Sequence, residues 1–172
     1  LYMSENNLKV AIIGAGLGGL AVAIALHKQG INAQVYEKAQ QLRPVGAGLS
    51  LFPNGLNTME AIAPGIVETL KYAGSPTRMV NLRKNTGEII MQNPQLLQEK
   101  YGQPMLQIRW SRLQEILASR LPPEVIHLNY RCIGFEQNDS GIDVSFEQGN
   151  KEQVDLLIGA DRLNSTIRLS VI

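Results

Sequence analysis

Lys9-Val10-Ala11-Ile12-Ile13-Gly14-Ala15-Gly16-Leu17-Gly18-Gly19-Leu20 is the stretch that decides the fold. Lys9 to Ile13 is rich in β-branched apolar residues, the pattern of a strand buried on both faces. Three glycines at GxGxxG spacing (Gly14, Gly16, Gly19) follow at once, and the alanine-rich run from Leu20 to Gln29 has apolar residues at helical spacing (Leu20, Ala23, Ile24). Gly30 stands where a helix ends in glycine. Ala33 to Tyr36 then predicts a second strand, closed by Glu37. Strand, glycine turn, helix and strand make a βαβ unit over residues 9–37.

Each position has a physical job. Gly14 makes the tight turn, Gly16 lets the backbone approach a pyrophosphate, and Gly19 lets the helix pack closely on the strand. The helix N-terminus offers free N–H groups and the positive end of its dipole to phosphates. Ala23 and Leu26 fall at the small and large packing positions of that helix. Glu37 is placed to accept hydrogen bonds from ribose hydroxyls, and its charge repels a 2′-phosphate, which argues against NADP in this pocket. The fingerprint predicts an ADP moiety and by itself leaves FAD and NAD open.

Composition agrees with an α/β nucleotide-binding fold. The chain has 172 residues, which suits one medium domain, and 44% are hydrophobic, enough for a packed core. Glycine is abundant at 16 and aromatics are sparse at 5%. The formal charge is +1, so nothing electrostatic points to nucleic acid or an anionic membrane. No apolar run reaches the ~18 residues of a membrane span. Leu1 to Leu8 is polar and lacks the order of a signal peptide. Cys132 is the only cysteine, so no internal disulfide forms, and a cytoplasmic location is expected. His27 and His127 lack partners at ligand spacing, so no metal site is expected. No paired carboxylates, GxSxG elbow or CxxC is present, and no residue is singled out as catalytic.

Further along, helices are expected over Leu56 to Ala63, Ile66 to Ala73 and Ser111 to Arg120, and a strand over Met105 to Ile108. Asn85-Thr86-Gly87 and Asp139-Ser140-Gly141 are hairpin turns, the first between Met79–Lys84 and Glu88–Gln92, the second between Arg131–Gln137 and Ile142–Glu147. Ile126 to Leu128 is a short strand, and Gln153 to Ile158 is expected to be one buried strand leading into Gly159-Ala160-Asp161.

Two further segments carry a family resemblance. Glu37-Lys38, followed by Leu42-Arg43-Pro44-Val45-Gly46-Ala47-Gly48-Leu49-Ser50-Leu51-Phe52-Pro53-Asn54-Gly55, resembles the second glycine-containing stretch of class A flavin monooxygenases, the aromatic-ring hydroxylases. Asp155-Leu156-Leu157-Ile158-Gly159-Ala160-Asp161 with Ser165 and Arg168 resembles that family's DG motif, GADGxxSxxR, except that Arg162 stands in place of the glycine. If the motif needs a positive φ there, arginine carries a steric penalty that glycine avoids. A third segment, Arg109-Trp110-Ser111-Arg112-Leu113, is similar to a helix start where the family has an FAD-contacting arginine; here Trp110 holds that position. Either Arg109 or Arg112 supplies the guanidinium, or the position is a tryptophan variant.

The resemblance runs from Lys9 to Arg168. It implies an α/β, Rossmann-like FAD/NAD(P)-binding domain over residues 1–172, a parallel sheet with helices plus an inserted β portion. It implies FAD as cofactor, contacted by Gly14, Gly16, Leu17, Gly18, Gly19, Glu37 and Lys38. Arg43 and the backbone of Ala47, Gly48 and Ser50 would lie along the ribityl and flavin end, with Arg109 or Arg112 beside them, the backbone at Cys132 near adenine, and Asp161 near the pyrophosphate. NAD(P)H is the implied electron donor, O2 the co-substrate, and a small aromatic or isoprenoid molecule the substrate. A reductase or halogenase of the same fold, or a non-catalytic nucleotide-binding module, are the other readings. The family's GD motif is not found after Arg168, so the sequence is expected to be an N-terminal piece, truncated at its C-terminus, of a longer enzyme, with apolar surface left uncovered.

Overall fold

The computed structural model describes residues 8–42, 46–94, 96–162 and 165–169. In chain order the elements are β1 (Lys9–Ile13), α1 (Leu17–Lys28), β2 (Asn32–Glu37), β3 (Gly48–Leu51), α2 (Pro53–Ile62), α3 (Ile66–Ala73), β4 (Ser75–Thr77), β5 (Met79–Arg83) and β6 (Ile89–Pro94). Then come α4 (Leu97–Tyr101), β7 (Met105–Arg109), α5 (Trp110–Ala118), a single 3₁₀ turn (Pro123–Val125), β8 (Ile126–Leu128), β9 (Cys132–Asn138), β10 (Gly141–Phe146), β11 (Lys151–Val154), β12 (Leu156–Gly159) and α6 (Thr166–Leu169). They fall into two compact units, one holding Leu1–Pro44 and Gln114–Ile172, the other the intervening Val45–Leu113.

The first unit is built on a parallel sheet in the order β12-β1-β2-β8. β1 is central, and Val10 to Ile13 are all buried, as a strand covered on both faces requires. α1 packs on β1 and β2 through the buried Leu20, Ala23 and Ile24. The chain stops α1 at Gln29 and turns through Gly30 at φ +72°, whose N–H reaches the His27 carbonyl. The antiparallel sheet β11-β10-β9 supplies Val144, Phe146 and Val154 to a core shared with Ala11, Ile13, Tyr36 and Cys132. Aromatic rings fill its centre: Tyr36 lies 4.7 Å from Phe146 and stacks on His127 at 4.8 Å, centroid to centroid.

One expectation fails here. Gln153 to Ile158 is two strands in two sheets, broken at Asp155. Val154 pairs with Ile142 in the antiparallel sheet, and Leu156 pairs with Val10 in the parallel one. Asp155 makes the corner, donating its N–H to the Lys9 carbonyl at 2.9 Å and accepting the Lys9 N–H on Oδ2 at 2.8 Å. The sequence Val154-Asp155-Leu156 does not reveal a sheet change whose corner is held by two hydrogen bonds to Lys9, distant in the chain.

The second unit holds an antiparallel sheet β3-β7-β4, with Met105, Leu106 and Ile108 of β7 buried, and helices α2 and α3 beside each other. α2 begins at Pro53, so Pro53-Asn54-Gly55, which in sequence reads as a turn or a helix start, is the helix start; proline suits a first helical position. β4 was hidden in sequence by Pro76, which an edge strand tolerates. β5 and β6 form the expected hairpin, and every residue of both strands is exposed, including Met79, Val80, Leu82, Ile89, Ile90 and Met91. Among the described residues no helix is long and apolar enough to cross a membrane.

Candidate dinucleotide site

The glycine turn after β1 is tied down from three sides. Gly14 takes φ +112° and donates its N–H to the Tyr36 carbonyl at 2.8 Å. Ala15 donates its N–H to Glu37 Oε2 at 3.0 Å, and Glu37 Oε1 accepts the Ala39 N–H at 2.9 Å. Gln114, buried on α5, donates from Nε2 to the Ala15 carbonyl at 2.6 Å. Glu37 thus does more than sequence reasoning assigned: it braces the turn and the segment after β2, and each oxygen keeps a lone pair for a further donor. Gln114 was missed entirely. Its only signal was a polar residue on a helix whose neighbouring positions Leu113, Ile116 and Leu117 are buried.

The three fingerprint glycines prove unequal. A Cβ on Gly19 would stand 2.0 Å from the Gly14 carbonyl oxygen, and one on Gly14 would stand 2.5 Å from the Ala160 oxygen. Gly16 and Gly18 face open space, with nothing within 4 Å of an added Cβ. Gly16 is also the N-cap of α1, with no side chain to cap the helix, and no acidic residue lies in the first turn. Gly16 and Leu17 are half-buried and Gly18 is exposed. The start of α1 is therefore an uncapped helix N-terminus opening onto space that a phosphate can enter.

The DG-like segment lies beside this turn. Ala160 donates its N–H to the Ile13 carbonyl at 2.8 Å, and Asp161 Cα would be 3.2 Å from a Cβ on Gly14. Asp161 Oδ2 accepts the Thr166 N–H at 2.7 Å, whereas its Oδ1 is buried with no hydrogen-bond partner among the described residues. Ser165 caps α6, its Oγ accepting the Arg168 N–H at 2.9 Å, as its place early in the helix predicts. Arg162 takes φ +77°, the conformation for which the family motif's glycine is suited. A cavity of about 420 Å³ opens here, lined by residues that include Asp161, Arg162, Ser165 and Arg168.

In the second unit the glycine-containing stretch and the helix-start motif meet. Gly48 pairs with Arg109 and Ser50 with Gln107 across β3 and β7. Ser50 Oγ donates to Gln107 Oε1 at 2.9 Å, and the Trp110 N–H reaches the Ala47 carbonyl at 2.8 Å. Ala47, Gly48, Ser50, Arg109 and Arg112 are all exposed, and Trp110 is half-buried. Arg43 lies outside the described residues.

Lys38, beyond β2, is exposed. Cys132 starts β9 inside the core, where its thiol donates to the Gly134 carbonyl; burial pushes the thiol above the ordinary value, a backbone hydrogen bond at Gly134 opposes this, and Asp161 adds to the rise. Its side chain is a packing group. His27 is engaged by the Ala33 carbonyl and His127 by the Gln34 side chain. Among the described residues no cluster of three His, Cys, Asp or Glu is arranged to hold a metal.

Comparison with known proteins bears directly on this arrangement. The chain is 32% identical over 173 residues to 3-amino-4-hydroxybenzoate 2-monooxygenase of Streptomyces cremeus, covering 99% of this chain and 43% of that one. It is 34% identical to the FAD-dependent urate hydroxylase of Klebsiella pneumoniae, covering 94% of this chain and 42% of the relative. The structure of Klebsiella pneumoniae HpxO complexed with FAD and uric acid superimposes with a TM-score of 0.87 at 29% identity, over 96% of this chain and 42% of that one. The chain thus spans about two fifths of these relatives' length, 43% and 42% in the two enzymes. The family described as the FAD binding domain matches residues 7–171, and the chain belongs to that family.

Proposed function

We propose that the chain binds FAD and forms the cofactor-binding portion, one FAD-binding domain over residues 1–172, of an NAD(P)H-dependent monooxygenase. That enzyme would use O2 to hydroxylate or epoxidise a small aromatic or isoprenoid substrate, in the cytoplasm. The observation that carries the reading is the glycine turn braced by Tyr36, Glu37 and Gln114, with the uncapped start of α1 open at Gly16. The residues present fit the cofactor: open backbone at Gly16 and Gly18 suits a diphosphate, and the partnerless Asp161 Oδ1 suits a hydroxyl donor.

On this reading Gly14 and Gly19 shape the turn, while Gly16, Leu17 and Gly18 present backbone N–H groups to the diphosphate. Glu37 accepts from the ribose hydroxyls with its remaining lone pairs, and Lys38 lies alongside. The backbone at Cys132 meets adenine. Ala47, Gly48, Ser50 and Arg43, with Arg109 or Arg112, meet the ribityl and flavin end. When bound, the flavin supplies the electron transfer and oxygen chemistry. The protein's part is to bind, orient and exclude water. The relatives named for 3-amino-4-hydroxybenzoate and urate support a small aromatic ring as substrate.

The test is to purify the chain and titrate it with FAD, following flavin absorbance and fluorescence. Saturable binding of one FAD, displaced by ADP, is expected. Absence of binding to both FAD and ADP by a folded chain would overturn the reading.

A further inference from the structure

Arg162 occupies a backbone conformation that disfavours it. Its φ of +77° costs any residue with a Cβ, and glycine would remove the cost. Strain of this kind persists only where the surrounding structure imposes it, and it clusters at ligand-binding sites. Arg162 is exposed, so packing does not explain its retention.

Its position explains it. In the order β12-β1-β2-β8 the chain runs from β1 outward on one side and returns to place β12 on the other. The crevice outside the carboxyl ends of β1 and β12 is therefore the switch point of a parallel sheet, where ligands bind. The turn after β1 carries the Gly16 opening. The segment after β12 carries Ala160 against the Gly14 turn, then Asp161, then Arg162. Arg162 lines the same cavity as Arg168 and the Asp161 carboxylate. The cavity thus combines Arg162 with a carboxylate oxygen that has no partner among the described residues. A ligand that meets both presents phosphate oxygens to Arg162 and a hydroxyl to the carboxylate.

We propose that Arg162 is a diphosphate-binding residue, which supplements the N–H groups at the start of α1 with a charged contact to the cofactor's diphosphate. The inference rests on the reading of the chain as an FAD-binding domain. Replacing glycine with arginine at this position exchanges backbone ease for ligand affinity.

The experiment uses the whole chain and the variants R162Q, R162G and R162K, with FAD, ADP and adenosine as probes. Loss of one charge-assisted contact weakens FAD and ADP binding about tenfold in R162Q and R162G, and leaves adenosine unchanged. R162K retains the charge and loses about threefold. R162G also melts a few degrees higher than the unmodified chain when ligand-free, because its strain is gone. A gain in stability with a loss of affinity is a combination that a purely structural arginine does not give. FAD and ADP affinities within twofold of the unmodified chain in R162Q overturn the proposal while leaving FAD binding intact. Equal loss for adenosine and ADP also overturns it, since the contact is then not with phosphate. If the unmodified chain binds neither FAD nor ADP, the FAD reading falls and the proposal with it. If it binds ADP but not FAD, and R162Q weakens ADP, the FAD reading alone falls.

Discussion

Gly19→Ala and Gly16→Ala should separate folding from binding within one motif. In Gly19→Ala the new methyl would stand 2.0 Å from the Gly14 oxygen, 3.2 Å from the Gly14 carbonyl carbon and 3.3 Å from the Ala160 Cβ. The first of these contacts is to backbone that cannot swing away. Gly14 is held by its N–H bond to Tyr36 and by its own positive φ, and a Cβ on Gly14 would already meet Ala160. Overpacking typically costs about 1–3 kcal/mol, and a rigid neighbour places this site at about 3 kcal/mol or above. For a chain of this size each kcal/mol is worth about 2–4 °C, so the melting temperature should fall by about 6–12 °C. Gly16 differs. Its φ of −71° and ψ of 176° suit alanine, and no atom lies within 4 Å of an added Cβ. Reduced freedom of the unfolded chain contributes about 0.4–1 kcal/mol, offset by a similar cost for alanine at an N-cap. Gly16→Ala should therefore melt within about 3 °C of the unmodified chain. Its FAD affinity should nonetheless fall by at least about tenfold, since the methyl fills the space a diphosphate needs. Circular dichroism melts and flavin fluorescence titrations read the two effects. The reasoning is refuted if Gly19→Ala melts like the unmodified chain, or if Gly16→Ala keeps its FAD affinity.

Four further expectations come from the same region and the core behind it. Gln114→Leu leaves the Ala15 carbonyl without its buried partner and should cost about 1–3 kcal/mol by chemical denaturation, while Glu37→Ala removes the acceptor for Ala15 and Ala39 and should cost a similar amount together with FAD affinity. The Tyr36 phenol is held well above its ordinary value, first by burial and then by Glu152 and Tyr130. The native state thus holds that proton more tightly than the unfolded chain, so this contribution is complete below about pH 10 and is lost as pH rises above it. Tyr36→Phe should therefore lose less stability than the unmodified chain between about pH 9 and 11 in urea melts. Cys132, buried and with its thiol raised, should react with a disulfide reagent far more slowly in the native chain than in denaturant; fast native labelling would contradict its place in the core.

The βαβ unit was legible because its signals are local. A buried strand, glycines at fixed spacing and a helix ended by Gly30 each depend on residues that are neighbours in sequence; Lys9–Ile13 and Asn32–Glu37 fell where expected to within a residue, while α1 starts at Leu17, three residues before the expected Leu20, because Gly18 and Gly19 join the helix. What the sequence hid were links made by single hydrogen bonds across long separations. The hydrogen bond from Gln114 to Ala15 spans 99 positions, and the one from Lys9 to Asp155 spans 146. Neither glutamine nor aspartate announces such a partner, since each is an ordinary polar residue until the fold brings a distant backbone group to it. The pairing of Gly48 with Arg109 is intermediate: both motifs were visible, but only antiparallel pairing of β3 with β7 brings them side by side. Arg162 is the opposite case. The sequence marked it as a departure from the motif, and the backbone kept the conformation the motif's glycine is suited to. A left-handed residue with a Cβ costs about 1–2 kcal/mol, so the surrounding structure must hold this one in place. The turn holds because Asp161 is anchored to Thr166 on one side and Ala160 to Ile13 on the other, so the arginine's strain is imposed by the same two bonds that aim the segment at the glycine turn.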